Sequence, residues 1–225
     1  GLMIGCIGKL TFSAKIGIIR ISISEPKYAI NKIHPILPAI IFNSQICFAQ
    51  TDLSNITELK EQVVVLYNAN KLKEAYQLIS KIPEDKRDSE VWLIAANITQ
   101  DYDRTLDTIF LLQKAISVDG ENYKPYYNLG NIYFKDKKFN SAISNYETAL
   151  KYNKEFPYAW YNIGCCYLEL QDYPKAKSVF QRAITFKNDD PDFYYNLAYT
   201  FKKLNKKKQS EKFLKIYNTM LEQRI

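Results

Sequence analysis

Apolar and polar residues recur with a fixed period along the chain from about residue 90 onward. A nine-residue pattern begins at Trp160 as WYNIGCCYL, and related patterns begin at Tyr126 (YYNLGNIYF) and at Tyr194 (YYNLAYTFK). The bulky first residue has an earlier counterpart at Trp92, so the four copies stand 34 residues apart. A constant period of this length indicates stacked copies of one supersecondary unit, and it decides the fold class before local propensity does.

Within each period the apolar residues form two stripes at helical spacing, which predicts two amphipathic helices. Pro157 and Pro191 stand where first helices begin and Pro174 where a second one begins, positions at which the missing N–H has no intrahelical partner. Fully burying each recurring aromatic residue contributes about 2–3 kcal/mol. Small residues at matching places let the two helices approach closely; in the central copies these are Gly130, Ala142, Ala149, Gly164, Ala176 and Ala183.

This pattern resembles the tetratricopeptide repeat (TPR) family, whose helix–turn–helix motif has a large aromatic, Leu-Gly, Tyr, and then Ala, an aromatic and Ala at these spacings. The resemblance covers roughly residues 56–225 and is strongest in the two central copies, whereas Thr99 stands where Tyr is usual. It implies an all-α fold, a right-handed superhelical solenoid with a concave groove, because one unit cannot bury both of its faces alone. The predicted units, about five, are 56–88 (with one residue missing from a loop), 89–122, 123–156, 157–190 and 191–224.

The first helix of three copies carries an asparagine two residues after the bulky one, namely Asn128, Asn162 and Asn196. An amide both donates and accepts hydrogen bonds, so a row of amides on one surface can pair with the backbone of an extended peptide. Some TPR proteins bind peptide backbone at this position, and the resemblance implies the same here. The alternative, that the asparagine caps a helix or bonds within the repeat, stays open. The row is interrupted at Ile94.

Further candidates for the groove surround these asparagines. Tyr127, Tyr161 and Tyr195 precede them by one position and are expected either to contact a peptide or to pack at a helix margin. The TPR groove that clamps a C-terminal dicarboxylate has lysine where Tyr127 or Tyr161 stand, so the resemblance disfavours the binding of chaperone tails. The complete set of candidate partner-binding residues is Asn128, Asn162, Asn196, Tyr127, Tyr161, Tyr195, Asn131, Tyr199 and Lys202.

Residues 1–50 differ from the rest and are interpreted as a separate apolar leader. Within it, 27–49 has a short basic region, an apolar stretch and Ala49 before a polar start, which is the layout of a secretory signal peptide cleaved before Gln50. The alternatives are a membrane anchor, for which the apolar run is short against the roughly 20 residues of a span, or no targeting role. Residues 1–26 are interpreted as an upstream extension. We expect a periplasmic, secreted or membrane-associated protein, or a cytoplasmic one if the leader does not target.

The excess of positive charge is densest outside the repeats. The chain carries a net charge of +7, but residues 1–50 hold five basic residues and one acidic residue, so the repeat region is close to neutral. This gives only weak support for a nucleic-acid partner. An RNA-binding helical repeat is the alternative function, although the related RNA-reading repeats have a period of 35 and lack the Leu-Gly and Ala-aromatic-Ala core. The basic run at 202–212 is expected to be solvated or to contact acidic protein, anionic lipid or RNA.

The residue types needed for catalysis are sparse. His34 is the single histidine, which removes Ser/His and Cys/His nucleophiles from the repeat region. The four cysteines lack C-x-x-C spacing, and the adjacent Cys165 and Cys166 point about 100° apart on a helix and are expected as small packing residues. We therefore expect no catalytic residues, metal site or cofactor. The expected function is a non-catalytic scaffold or adaptor that binds a protein or peptide in its groove, at a membrane or beyond it.

Overall fold

A computed structural model describes residues 53–223 of the chain. The predictions for residues 1–50 lie outside the described residues. Within residues 53–223 the chain forms α-helices and one short 3-10 helix and has no β-strand. None of these helices is both long enough and apolar enough to span a bilayer. The helices are α1 (Leu53–Asn68), α2 (Leu72–Ile79), α3 (Ser89–Asp101), α4 (Thr105–Val118), α5 (Tyr123–Lys135), α6 (Phe139–Tyr152), α7 (Pro157–Glu169), α8 (Tyr173–Phe186), α9 (Pro191–Lys203) and α10 (Lys207–Glu222), with the 3-10 helix at Glu84–Lys86.

The helices pack as five hairpins in which α1, α3, α5, α7 and α9 are the first helices and their followers the second helices. Each second helix also packs against the first helix of the next hairpin. Consecutive first helices contact one another as well, as α1 does with α3 and α7 with α9. The first helices therefore line the inner, concave side of the stack. The prediction of an all-α solenoid of helical hairpins is confirmed.

In every hairpin, the second residue after the end of the first helix has a left-handed backbone conformation, and none of these five residues is glycine. The φ angle is +58° at Lys137 and +59° at Gln171. The amide of the next residue then returns to a carbonyl five positions back, as from Lys138 to Tyr133, and satisfies a helix-end acceptor. This repeated cap turns the chain back into the second helix. The left-handed residues are Asn70, Asp103, Lys137, Gln171 and Asn205.

In the second to fifth hairpins a small residue of the first helix meets a large residue of the second helix. Gly130 lies against the ring of Tyr146, and Gly164 lies against the ring of Phe180, both rings being buried. A β-carbon at either glycine would fall inside contact distance of the ring, so the missing side chain is what lets the helices close up. The same position is alanine in the second and fifth hairpins, where the facing residue is leucine rather than an aromatic.

Thr99 of the second hairpin stands where the central hairpins have tyrosine, and it contacts a second threonine. Its hydroxyl lies 3.0 Å from the hydroxyl of Thr108, which stands where the central hairpins have alanine. Each hydroxyl carries one proton, so one threonine donates to the other, and the second donates to a backbone carbonyl one helical turn earlier, either Thr99 to Ala96 or Thr108 to Arg104. Two hydrogen-bonded threonines thus replace the large–small Tyr and Ala pair, and the buried polar groups are satisfied.

The last described helix, α10, has no fully buried residue. Leu214 is 41% exposed, whereas Phe180, its counterpart in the fourth hairpin, is fully buried under the next first helix. Tyr217 replaces the small residue of the inner hairpins, and its ring packs on that of Tyr195 at 5.2 Å between ring centroids. The Tyr217 ring therefore covers part of the face that the fifth hairpin leaves exposed.

Candidate functional site

The inner surface begins with hydrogen bonds that join successive first helices. Asn128 Nδ2 donates to Asn97 Oδ1 at 2.7 Å, which joins α5 to α3. Asn97 Nδ2 in turn donates to the hydroxyl of Tyr67 on α1 at 3.1 Å. Asn128 is half-buried, and among the described residues its Oδ1 receives no hydrogen bond. This amide therefore anchors one hairpin to the previous one while leaving an acceptor for another molecule.

The equivalent Asn162 lies deeper. Its side chain is 3% exposed, and its Nδ2 lies 3.0 Å from Asn131 Oδ1 and 3.2 Å from the hydroxyl of Tyr127. The hydroxyl of Tyr146, itself 3.4 Å from the same Nδ2, donates to Asn131 Oδ1 at 2.8 Å. The amide thus sits in a closed polar cluster of the third and fourth hairpins, where such bonds satisfy buried polar groups.

Asn196 repeats this position with different partners. Its Nδ2 donates to the hydroxyl of Tyr161 at 2.6 Å and lies 4.0 Å from Cys165 Sγ. Cys165 is the counterpart of Asn131 in the previous hairpin, so a thiol replaces an amide oxygen as the second neighbour. Asn196 is fully buried, and its backbone carbonyl accepts from the hydroxyl of Thr200. Both inner amides are therefore parts of the interface between hairpins.

Burial changes the ionisation of the phenols in the cluster. Loss of solvent raises the pKa of Tyr146 far above its ordinary value, and the nearby Asn162 amide offsets this only in part. The pKa of Tyr127 is raised for the same reason, against the opposing hydrogen bonds from Asn131 and Asn162. Both hydroxyls consequently stay protonated at neutral pH, as hydrogen-bonded members of the interface rather than acid–base groups.

The structure divides the nine candidate residues by accessibility. Lys202 is exposed at the end of α9, and Tyr161, Asn162 and Asn196 are buried. Access to the inner surface is thus open on α5 and α9 and closed at the middle of α7. That these residues bind a partner stays a prediction. The half-buried candidates are Tyr127, Asn128, Asn131, Tyr195 and Tyr199.

A row of rings along the starts of α5, α7 and α9 was not predicted. Phe156 lies between Tyr127 and Tyr158, with centroid distances of 4.9 and 5.8 Å. Tyr158 then meets Phe193 at 6.0 Å, and Phe193 stacks on Tyr161 at 4.6 Å. Phe156 and Tyr158 remain half-buried. Periodicity gave no signal for them because the matching positions of neighbouring hairpins hold polar residues.

Within the described residues there is neither a metal-binding cluster nor a disulfide. No group of three or more acidic, cysteine or histidine side chains within residues 53–223 is arranged to hold a metal ion. Cys165 and Cys166 are both buried and are not joined to each other by a disulfide. The inner surface presents amides, phenols and lysines, which can hydrogen-bond to a partner.

Family comparison identifies the repeat. A model described as "TPR repeat" matches residues 130–171, and models described as "Tetratricopeptide repeat" match residues 157–190 and 191–215. Residues 130–215 of the chain consist of tetratricopeptide repeats. The matches run from the middle of α5 to the middle of α10. Among curated proteins, no sequence matches the chain significantly.

Solved structures of MamA share the fold of this chain. "MamA MSR-1 C2" is 17% identical over 76% of this chain and 98% of its own, with a TM-score of 0.61. "Crystal structure of MamA" is 20% identical over 72% and 95%, with a TM-score of 0.63. "MamA RS-1 ArsTM double mutant" is 12% identical over 75% and 96%, with a TM-score of 0.65. At these identities the likeness concerns the fold alone.

Proposed function

We propose that this TPR protein is a non-catalytic scaffold that holds an extended segment of a partner protein against its inner surface. The observation that carries this proposal is the state of Asn128, which is half-buried on α5 with its Oδ1 unoccupied among the described residues. An acceptor fixed by a neighbouring amide is preorganised to receive a backbone N–H.

The half-buried tyrosines of α5 and α9 support a protein ligand. Tyr127 lies one residue before Asn128, and Tyr195 and Tyr199 offer similar surfaces on α9. Tyrosine provides a large rigid contact area with a polar tip, which is why it is enriched where proteins bind each other. The accessible candidates lie on α5 and on α9, two hairpins apart, and this separation suits an extended segment better than a small molecule.

In-cell crosslinking tests this proposal directly. A photoreactive phenylalanine analogue is placed in the full chain at Tyr199, on the inner side of α9, and in a matched chain at Ser144, which is exposed on α6. We expect defined protein adducts from position 199 and few from position 144. Adducts of equal yield from both positions, or adducts with RNA in place of protein, would overturn the proposal.

We further propose that the protein acts at a membrane or beyond it. Support comes from the sequence of residues 27–49, with a basic start, an apolar stretch and a small residue before Gln50. N-terminal sequencing of protein isolated from its native cells is expected to read from Gln50. An N-terminus that retains residues 27–49 would exclude cleavage, and recovery of that form in the soluble cytoplasmic fraction would exclude membrane anchoring too.

A further inference from the structure

The outer side of α4 carries two apolar residues that no other part of the described chain covers. Leu106 is 83% exposed, and Phe110, one helical turn later, is 56% exposed. The core-facing residues of the same helix are Thr108, Leu112 and Ala115, which lie on its opposite side. Leu106 and Phe110 therefore project from the convex surface, away from the inner surface proposed to bind a partner.

Comparison among the hairpins shows that the fold does not require apolar residues here. The counterparts of Leu106 and Phe110 are Asn140 and Ser144 in the third hairpin. The fourth and fifth hairpins have Pro and Ser, and then two lysines, at these positions. The second hairpin alone places a leucine and a phenylalanine in solvent, and an exposed apolar patch of this kind marks an interaction surface.

We propose that this patch is a homodimer interface in which α4 of one copy packs antiparallel against α4 of a second copy. A twofold axis between Leu106 and Phe110 would place each leucine against the partner copy's phenylalanine. A C2 interface must be self-complementary, and one leucine and one phenylalanine a turn apart meet that condition.

The charges at the two ends of the patch favour the same arrangement. Asp103 lies just before α4 with its side chain 87% exposed, and Lys114 lies one turn after Phe110, with its ammonium 5.5 Å from that ring's centroid. Residues 103 and 114 are nearly equidistant from the proposed axis. In the antiparallel dimer Lys114 of each copy falls beside Asp103 of the other, whereas a parallel pair would juxtapose like charges. Within one chain Asp103 contacts Lys135 at 3.3 Å, an exposed pair that a closer lysine can replace.

Sedimentation of the full chain at increasing concentration tests the proposal. We expect the mass to rise from 26.3 kDa toward twice that value. Replacing Leu106→Asn and Phe110→Ser together, which installs the residues of the third hairpin, should weaken dimerisation by about a hundredfold. The matched control is Leu170→Asp, another exposed leucine given its third-hairpin counterpart, and it should dimerise like the wild type. A wild-type chain that stays monomeric, or a double variant that associates as strongly, would overturn the proposal.

Charge exchange tests the orientation. Asp103→Lys alone and Lys114→Glu alone should each weaken dimerisation, because each places like charges together in both halves of the dimer. Mixing the two variants should restore association, since both cross-copy pairs then become attractive. Lysine is tolerated at residue 103 because Lys137 occupies the same left-handed position in the third hairpin. Failure of the mixture to associate more strongly than either variant would exclude the antiparallel arrangement.

Discussion

A β-carbon placed on Gly164 would lie 2.5 Å from Cε1 of Phe180. A β-carbon placed on Gly130 would meet Tyr146 Cε1 in the same way. Real contacts between carbon atoms are about 3.5–4.0 Å, so neither glycine can gain a side chain unless the aromatic ring moves. Both rings are buried among residues of two hairpins, and their movement would disturb the interface with the next hairpin as well.

Gly164→Ala is therefore expected to lower the free energy of unfolding by about 1–3 kcal/mol, the usual effect of overpacking a core. Urea unfolding followed by circular dichroism measures this. The control is Gly120→Ala, because a β-carbon there meets only the carbonyl oxygen of Ile116 at an ordinary 3.7 Å. Equal stability of the two variants would show that the Phe180 ring yields without strain.

Phe180→Leu should recover part of the loss when it is combined with Gly164→Ala. The second hairpin already contains this combination, with Ala96 facing a fully buried Leu112. The double variant should be more stable than Gly164→Ala alone, although Phe180→Leu by itself removes buried area and destabilises. Additive losses in the double variant would mean that the two positions are not coupled.

The positions of the helices were predictable because the same apolar pattern, and with it the same packing, recurs every 34 residues. The Gly164 and Phe180 contact follows from it, since a missing side chain recurs opposite a large ring. The turns were less predictable. Positions with a left-handed backbone conformation are usually occupied by glycine. Here Lys137 and Gln171 occupy two of them, and no local sequence feature predicts their conformation.

Lys137→Gly is expected to stabilise the protein by about 0.5–1 kcal/mol. Glycine relieves the steric cost of the left-handed conformation, which exceeds the entropy lost by making the unfolded chain more flexible. Thermal unfolding measures the gain. Ser141→Gly, at an exposed position inside α6, should instead destabilise by about 0.5 kcal/mol. A loss of stability in both variants would contradict the assigned backbone conformation at residue 137.

The buried phenols predict a loss of stability at alkaline pH. The pKa of Tyr146 is raised in the folded state by burial, while in the unfolded chain it is near 10. The unfolded state therefore releases this proton first, so the stabilisation is complete below pH 10 and declines as the pH rises above it. The difference in unfolding free energy between the wild type and Tyr146→Phe should shrink by about 1.4 kcal/mol per pH unit above pH 10. A difference that is constant between pH 8 and pH 11 would contradict the burial of this hydroxyl.

The candidate site was harder to predict than the helices. Asn128, Asn162 and Asn196 have the same place in the repeat and looked equivalent in the sequence. Their environments differ because each amide meets the residue 31 positions earlier, which is Asn97, Asn131 or Cys165. These neighbours lie on another helix and do not follow the repeat pattern. A single sequence therefore locates the row of amides but does not say which of them reach solvent.

The most direct test compares Asn128→Ala with Asn162→Ala in two assays, thermal unfolding and capture of protein adducts by the photoreactive residue at position 199. Asn128→Ala should reduce adduct formation while shifting the unfolding free energy by less than about 1 kcal/mol, because its amide is half-buried. Asn162→Ala should lower the unfolding free energy by about 1–3 kcal/mol, because it removes the partner of a buried polar cluster. Full adduct formation by a folded Asn128→Ala, with Asn162→Ala as stable as the wild type, would contradict both the recognition role of the first amide and the structural role of the second.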